Sequence, residues 1–120
     1  AAVVVQNPGE LARSQLEALV AEELIAAGRV DEFYTRISGI VRRYIEGRFD
    51  VRAPEQTTEE FLLAAGESEP LIPHKDALSG FLHEADLVKF AQYRPGDQAA
   101  DDAVLACRAF LDGTEGEAAS

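Results

Sequence analysis

Apolar residues recur at spacings of three and four positions along most of this chain, which is the pattern of amphipathic helices. The first such segment begins near Glu10 and stops at Gly28, a residue type that often follows a helix end. Its apolar positions are Leu16, Leu19, Val20 and Leu24. The pattern therefore predicts a first helix whose other face, with Glu17 and Glu22, is exposed to solvent.

The second segment has the clearest helical period. Asp31 is placed to cap this helix, because an aspartate oxygen can accept from the free amides of the first turn. One face is apolar and consists of Phe33, Ile37, Ile40, Val41, Tyr44 and Ile45. The other face is polar and consists of Glu32, Arg36, Gly39, Arg43, Glu46 and Asp50. The helix is predicted to end before Pro54, and the connection allows a short extended segment near Val51–Ala53.

Helix-start signals mark three further helices. Thr57 and Glu60 have the spacing of a capping box, which predicts a short third helix. A fourth helix follows His74, and Asp97 is predicted to cap a fifth helix that ends at Gly113. No segment shows the strict alternation that is typical of a half-buried strand.

These elements predict an all-α fold, a compact bundle of about five helices. We expect a flexible N-terminal tail at residues 1–9, a single helical domain at residues 10–112 and a frayed C-terminal tail at residues 113–120. A chain of 120 residues suffices for one domain with a substantial core. The composition, with 47% hydrophobic and 28% charged residues, is ordinary for a globular protein.

The charge balance limits the classes of partner. Acidic residues outnumber Lys and Arg by 22 to 11, which gives a net charge of −11. Such a field repels nucleic acid and anionic lipid, so we expect no nucleic acid partner. No apolar run approaches the ~20 residues that a membrane span needs. The single cysteine, Cys107, cannot form an internal disulfide, and its place in an apolar stripe predicts a small core residue.

Candidate catalytic residues do not form a recognisable arrangement. His74 and His83 lack the spacing of four residues that places two metal ligands on one helix face. The adjacent acids at positions 59–60 and 101–102 point in different directions on a helix, so they do not converge on one substrate atom. Their place near helix starts indicates that they interact with the positive end of the helix dipole. Phosphate-binding glycine motifs are absent from the sequence. We therefore predict a protein that is not an enzyme and has no cofactor or metal.

A group of arginines is the sharpest candidate for a binding site. Five of them lie within residues 36–52, namely Arg36, Arg42, Arg43, Arg48 and Arg52. One interpretation is structural, since Glu32–Arg36, Arg42–Glu46 and Arg43–Glu46 have the spacing of intrahelical ion pairs. The other interpretation is a partner surface, because arginine is enriched at interface hot spots. The candidates for that surface are Arg36, Arg43, Arg48 and Arg52.

Three motifs in this sequence resemble a known family. The run FYTRISGIVRRYIEGRF at residues 33–49 is followed by APEQTTEEF at residues 53–61 and by ADLVKFAQYRP at residues 85–95. Together they resemble the helical cytoplasmic domain of bacterial BatD-like membrane proteins and their uncharacterised relatives. The resemblance covers residues 11–111, which is nearly the whole chain.

The resemblance implies a non-enzymatic domain on the cytoplasmic side of the bacterial inner membrane, attached through segments outside this chain. It implies a role in protein interaction or assembly, with a MoxR-type AAA+ ATPase and a von Willebrand A-domain protein as partners. It implies no catalytic residues. The alternative function is a small-ligand or regulatory binding domain with a cleft near Asp86–Pro95, where a well-formed apolar cleft with convergent polar groups would favour it.

Overall fold

The computed structural model describes residues 7–51 and 56–118. Within these residues the chain forms five α-helices and no strand. The helices are α1 (Pro8–Ala21), α2 (Val30–Phe49), α3 (Thr58–Ala65), α4 (Lys75–Ala91) and α5 (Asp97–Ala118), and a 3-10 helix (Glu69–His74) leads into α4. The predicted all-α bundle of about five helices is confirmed.

Helix α2 lies at the centre of the bundle, where it packs against α1, α4 and α5. All six residues of its predicted apolar face are buried, and Ile37 and Ile45 are completely inaccessible to solvent. The helical period of α2 therefore identified the central part of the core. Cys107 of α5 is also buried, at 1% exposure, as predicted.

The start of α1 differs from the prediction by two residues. The side chain of Asn7 accepts a hydrogen bond from the Glu10 amide at 2.8 Å, and Pro8 occupies the first turn, where its missing N–H costs nothing. Residues 8 and 9 are thus helical and do not belong to a tail, whereas residues 1–6 lie outside the described residues.

The predicted stop of the first helix at Gly28 is wrong, because α1 already ends at Ala21. A turn follows, in which Glu23 adopts a left-handed backbone with φ 51°. Gly28 has a φ of 78°, a conformation that glycine adopts without strain, and it leads into α2. The residue that precedes α2 is Arg29, without a side-chain cap, so Asp31 lies inside the first turn and not at the cap.

The connection from α2 to α3 is only partly described. Asp50 ends α2 in a left-handed conformation, and Val51 is buried without forming a strand. The rest of the predicted extended segment lies outside the described residues. The capping box of α3 is confirmed: the Glu60 amide donates to the Thr57 hydroxyl at 3.2 Å, and the Thr57 amide donates to the Glu60 carboxylate at 3.0 Å.

Helix α5 does not end at Gly113 but continues to Ala118. A Cβ at position 113 would lie 3.0 Å from Cε1 of His74, so the glycine permits a close approach of the His74 ring to the helix. Thr114 is fully buried, and its hydroxyl lies 2.6 Å from the Tyr44 hydroxyl. The expected frayed tail therefore does not begin at residue 113, because Thr114 is part of the packed bundle.

Candidate partner-binding surface

Arg36, the first of the predicted surface arginines, is held by two carboxylates. Its guanidinium lies 2.6 Å from the Glu22 carboxylate and 3.5 Å from that of Glu32. The hydrogen bond from Arg36 lowers the pKa of Glu22. These contacts tie α2 to the turn after α1 and include the predicted Glu32–Arg36 pair. Arg36 therefore has a structural account.

Arg42 is also structural. It donates to the Gln56 carbonyl at 2.6 Å, and its guanidinium lies 4.7 Å from the centre of the Phe61 ring. Both contacts connect α2 to the start of α3, and the arrangement over Phe61 is a cation–π interaction. Arg42 thus makes these contacts in place of the predicted ion pair with Glu46.

Arg43 is exposed and forms no ion pair with any described residue. It lines a groove of about 130 Å³ between α1 and α2, together with Pro8, Leu11, Ala12, Gln15, Ile40, Tyr44 and Gly47. Leu11 is 41% exposed at this groove. We call these residues the α1–α2 groove. An unpaired guanidinium beside exposed apolar surface is a combination that is typical of protein interfaces.

Arg48 lies in the last turn of α2, five residues beyond Arg43. Its guanidinium is 5.5 Å from the centre of the Phe49 ring, and it forms no ion pair with a described residue. A cation near a helix C-terminus is favoured by the helix dipole, which gives Arg48 a partly structural role. Arg52 lies outside the described residues. Of the four predicted arginines, the structure therefore leaves Arg43 and Arg48 without ion pairs to any described residue.

The two histidines do not come together. His83 donates from Nδ1 to the Ser79 carbonyl at 2.8 Å and contacts the Glu59 carboxylate through Nε2. The contact with Glu59 raises the pKa of His83 and joins α3 to α4. His74 packs its ring edge-on against Phe110, with the ring centres 5.6 Å apart. Within the described residues, no three His, Cys, Asp or Glu side chains are placed to hold a metal ion.

The Cys107 thiol is unsuited to nucleophilic chemistry in this fold. Its burial raises its pKa to about 11, so the thiol stays protonated at neutral pH. The thiol lines a small apolar cavity of about 30 Å³ between α2, α4 and α5.

Residues 86–95 form the end of α4 and the loop after it. Leu87 and Phe90 are 50% and 79% exposed, and Tyr93 is 45% exposed. The Tyr93 amide donates to the Leu87 carbonyl at 3.1 Å, which folds the loop back onto the helix end. The side chains of Leu87, Phe90 and Tyr93 therefore project to solvent.

A cleft of about 310 Å³ lies elsewhere, between the end of α1, the turn after it and the start of α5. Its lining includes Asp97 but no residue from 86–95. Glu23 and Asp101 also line this cleft. The sequence analysis missed this group of acids, because residues far apart in the chain come together only when α1 and α5 pack against each other.

Comparisons of this chain with protein-family models, with curated proteins and with solved structures found no match. The resemblance to BatD-like proteins therefore stays a prediction from the three motifs. Among the described residues, none of the helices combines the length and the apolar character that a membrane span requires.

Proposed function

We propose that this chain is a non-enzymatic protein-interaction domain that contacts its partner through the α1–α2 groove. The observation that carries the proposal is Arg43, an exposed guanidinium that lies beside exposed Leu11 and forms no ion pair with the described part of the chain. The other arginines of α2 near it, Arg36 and Arg42, are engaged in contacts within the domain.

The positive charge of Arg43 favours an acidic segment as the occupant of the groove. With a net charge of −11, the protein repels acidic partners over most of its surface. Arg43 provides a local positive charge at the groove, where a carboxylate of the partner can dock. Apolar side chains of the partner would cover Leu11 and Pro8. An Arg anchor surrounded by apolar contacts is the usual composition of an interface hot spot.

The motif resemblance suggests the identity of the partner. BatD-like proteins are encoded beside MoxR-type AAA+ ATPases and von Willebrand A-domain proteins, and we propose that one of these binds the groove. In this proposal the domain faces the cytoplasm, and segments outside this chain attach it to the membrane. The domain would then position the ATPase or the A-domain protein at the membrane.

The test is an affinity measurement with the ATPase and the A-domain protein encoded next to the native gene. Arg43→Glu is compared with Lys75→Glu, which makes the same change in net charge on an exposed residue outside the groove. We expect one of the two proteins to bind, and Arg43→Glu to weaken binding about tenfold or more, since truncation of a hot-spot residue costs about 2 kcal/mol or more. Lys75→Glu should leave the affinity unchanged. Absence of binding by both proteins, or equal effects of the two substitutions, would contradict the proposal.

A further inference from the structure

The cleft between α1 and α5 opens to solvent and is lined mainly by apolar residues. Its apolar lining residues include the buried side chains of Leu24, Phe33 and Ala100 and the half-buried side chains of Ile25 and Val104. Val20, which is 39% exposed, lies at the same cleft. A volume of about 310 Å³ is enough to receive one or two large apolar side chains of another molecule.

Cross-helix ion pairs join α1 and α5 next to this cleft. Arg13 lies 2.6 Å from the Asp112 carboxylate and 2.7 Å from that of Glu115, and Arg108 lies 2.7 Å from the Glu17 carboxylate. Residues later in α1 therefore face residues earlier in α5, so the two helices are antiparallel. Opposite charges meet at both of these levels of the interface.

This pairing of opposite charges between α1 and α5 does not continue at the cleft. Glu23 lines it from the α1 side, and Asp97 and Asp101 line it from α5. None of the three side chains forms an ion pair or a hydrogen bond with a described residue, and the described lining contains no basic residue. These three exposed carboxylates give the cleft a negative potential, which attracts cationic groups of a partner.

The surroundings indicate what kind of cation fits. A metal ion is disfavoured, because no three described acids or histidines are arranged to hold one. The apolar lining instead favours a molecule that has both positive charge and apolar groups. An amphipathic protein segment with Lys or Arg on one side supplies both, as in helix-in-groove recognition.

We propose that this cleft is a docking site for a basic amphipathic segment of a protein partner. Apolar side chains of the segment pack against Val20, Ile25 and Val104, and its Lys or Arg side chains pair with Glu23, Asp97 and Asp101. The site is separate from the α1–α2 groove and has the opposite charge preference. The two sites together allow the domain to hold an acidic and a basic segment at once.

The experiment uses a dye-labelled helical peptide with Leu and Arg at helical spacing, and a matched peptide with Glu in place of each Arg. Binding to the full chain is followed by fluorescence anisotropy. The test variant is Glu23→Gly/Asp101→Asn. Glycine suits the left-handed backbone at position 23, and asparagine keeps the shape of aspartate, so the fold is preserved. The control Glu67→Gln/Glu69→Gln removes the same charge from exposed residues outside the cleft.

The proposal predicts that the Arg peptide binds and that the test variant binds it about threefold to thirtyfold more weakly, as expected for the loss of two exposed ion pairs. Any affinity for the Glu peptide should be the same in the unchanged chain and the test variant. The control variant should bind as the unchanged chain does. Equal affinity of the test and control variants, or no binding of the Arg peptide, overturns the proposal. Concentration-dependent self-association that the test variant abolishes would assign the cleft to a second copy of this chain and would also overturn it.

Discussion

The hydrogen bond between Tyr44 and Thr114 should measurably stabilise the bundle, since it joins the central helix to the end of α5. The two hydroxyl oxygens are 2.6 Å apart, and the Thr114 hydroxyl donates its only proton to the Phe110 carbonyl at 2.7 Å. Tyr44 must therefore be the donor to Thr114. Tyr44 is 2% exposed and Thr114 is fully buried, so water does not replace a lost partner.

The substitution Tyr44→Phe removes this one bond and leaves the ring in place. We expect it to lower the free energy of unfolding by about 0.5–1.5 kcal/mol, the usual net contribution of one hydrogen bond. Thr114→Val leaves the Tyr44 hydroxyl buried without an acceptor, which costs about 1–3 kcal/mol. The double variant removes both polar groups, so its cost should be less than the sum of the two, with a coupling of about 1 kcal/mol.

Tyr34 provides the matched control. It is also 2% exposed, but its hydroxyl is buried without a hydrogen-bond partner among the described residues. Burial of this hydroxyl raises its pKa to about 12. Tyr34→Phe should therefore leave the stability unchanged or increase it. Urea unfolding of the single and double variants at neutral pH measures all of these values. Additive costs for Tyr44→Phe and Thr114→Val, or an equal loss for Tyr34→Phe, would refute the reasoning.

Three further predictions concern the helix start, the histidine and the cysteine. Thr57→Ala should lower the free energy of unfolding by about 1 kcal/mol through loss of the cap, and thermal unfolding that matches the unchanged chain would count against it. The contact with Glu59 raises the pKa of His83. The stabilisation that this contact gives the fold is therefore full below the unfolded pKa of about 6.5, and it is lost as the pH rises through the folded pKa. His83→Gln should thus cost ~0.5 kcal/mol at about pH 5.5 and nothing at about pH 8.5 in urea unfolding, and a loss that does not vary with pH would contradict the contact. Cys107 should react with a thiol reagent only after unfolding, because it is buried and its pKa is raised to about 11; rapid labelling of the native chain would show the burial to be wrong.

The central fold could be predicted from the sequence because α2 has one apolar face with a regular period. Thr57 and Glu60 likewise marked a helix start through a local pattern. The helix ends were predicted less well, since long-range contacts decided them. Gly113 resembles a helix stop in sequence, but the approach of His74 and the bond between Thr114 and Tyr44 keep it inside α5.

The candidate site could be predicted only in part. The arginines of α2 were visible as a group, but their roles depend on which carboxylates and carbonyls the fold brings near them. Arg36 is paired by Glu22 from the turn after α1, a contact that intrahelical spacing does not reveal. Arg43 has no such neighbour and remains the candidate. The acids of the α1–α5 cleft could not be predicted as a group, because each has an ordinary local explanation in the sequence.

Site-specific photo-crosslinking in the native host tests the central claim, partner binding at the α1–α2 groove, most directly. A photoreactive amino acid is placed at Leu11, which is exposed at the groove, and in a second variant at Glu67, which is exposed and lies outside the groove. Mass spectrometry identifies the crosslinked protein. The account predicts that Leu11 crosslinks to the MoxR-type ATPase or the A-domain protein, that Arg43→Glu strongly reduces the product, and that Glu67 gives none. A product that forms equally from both positions, or that Arg43→Glu leaves undiminished, would contradict the account.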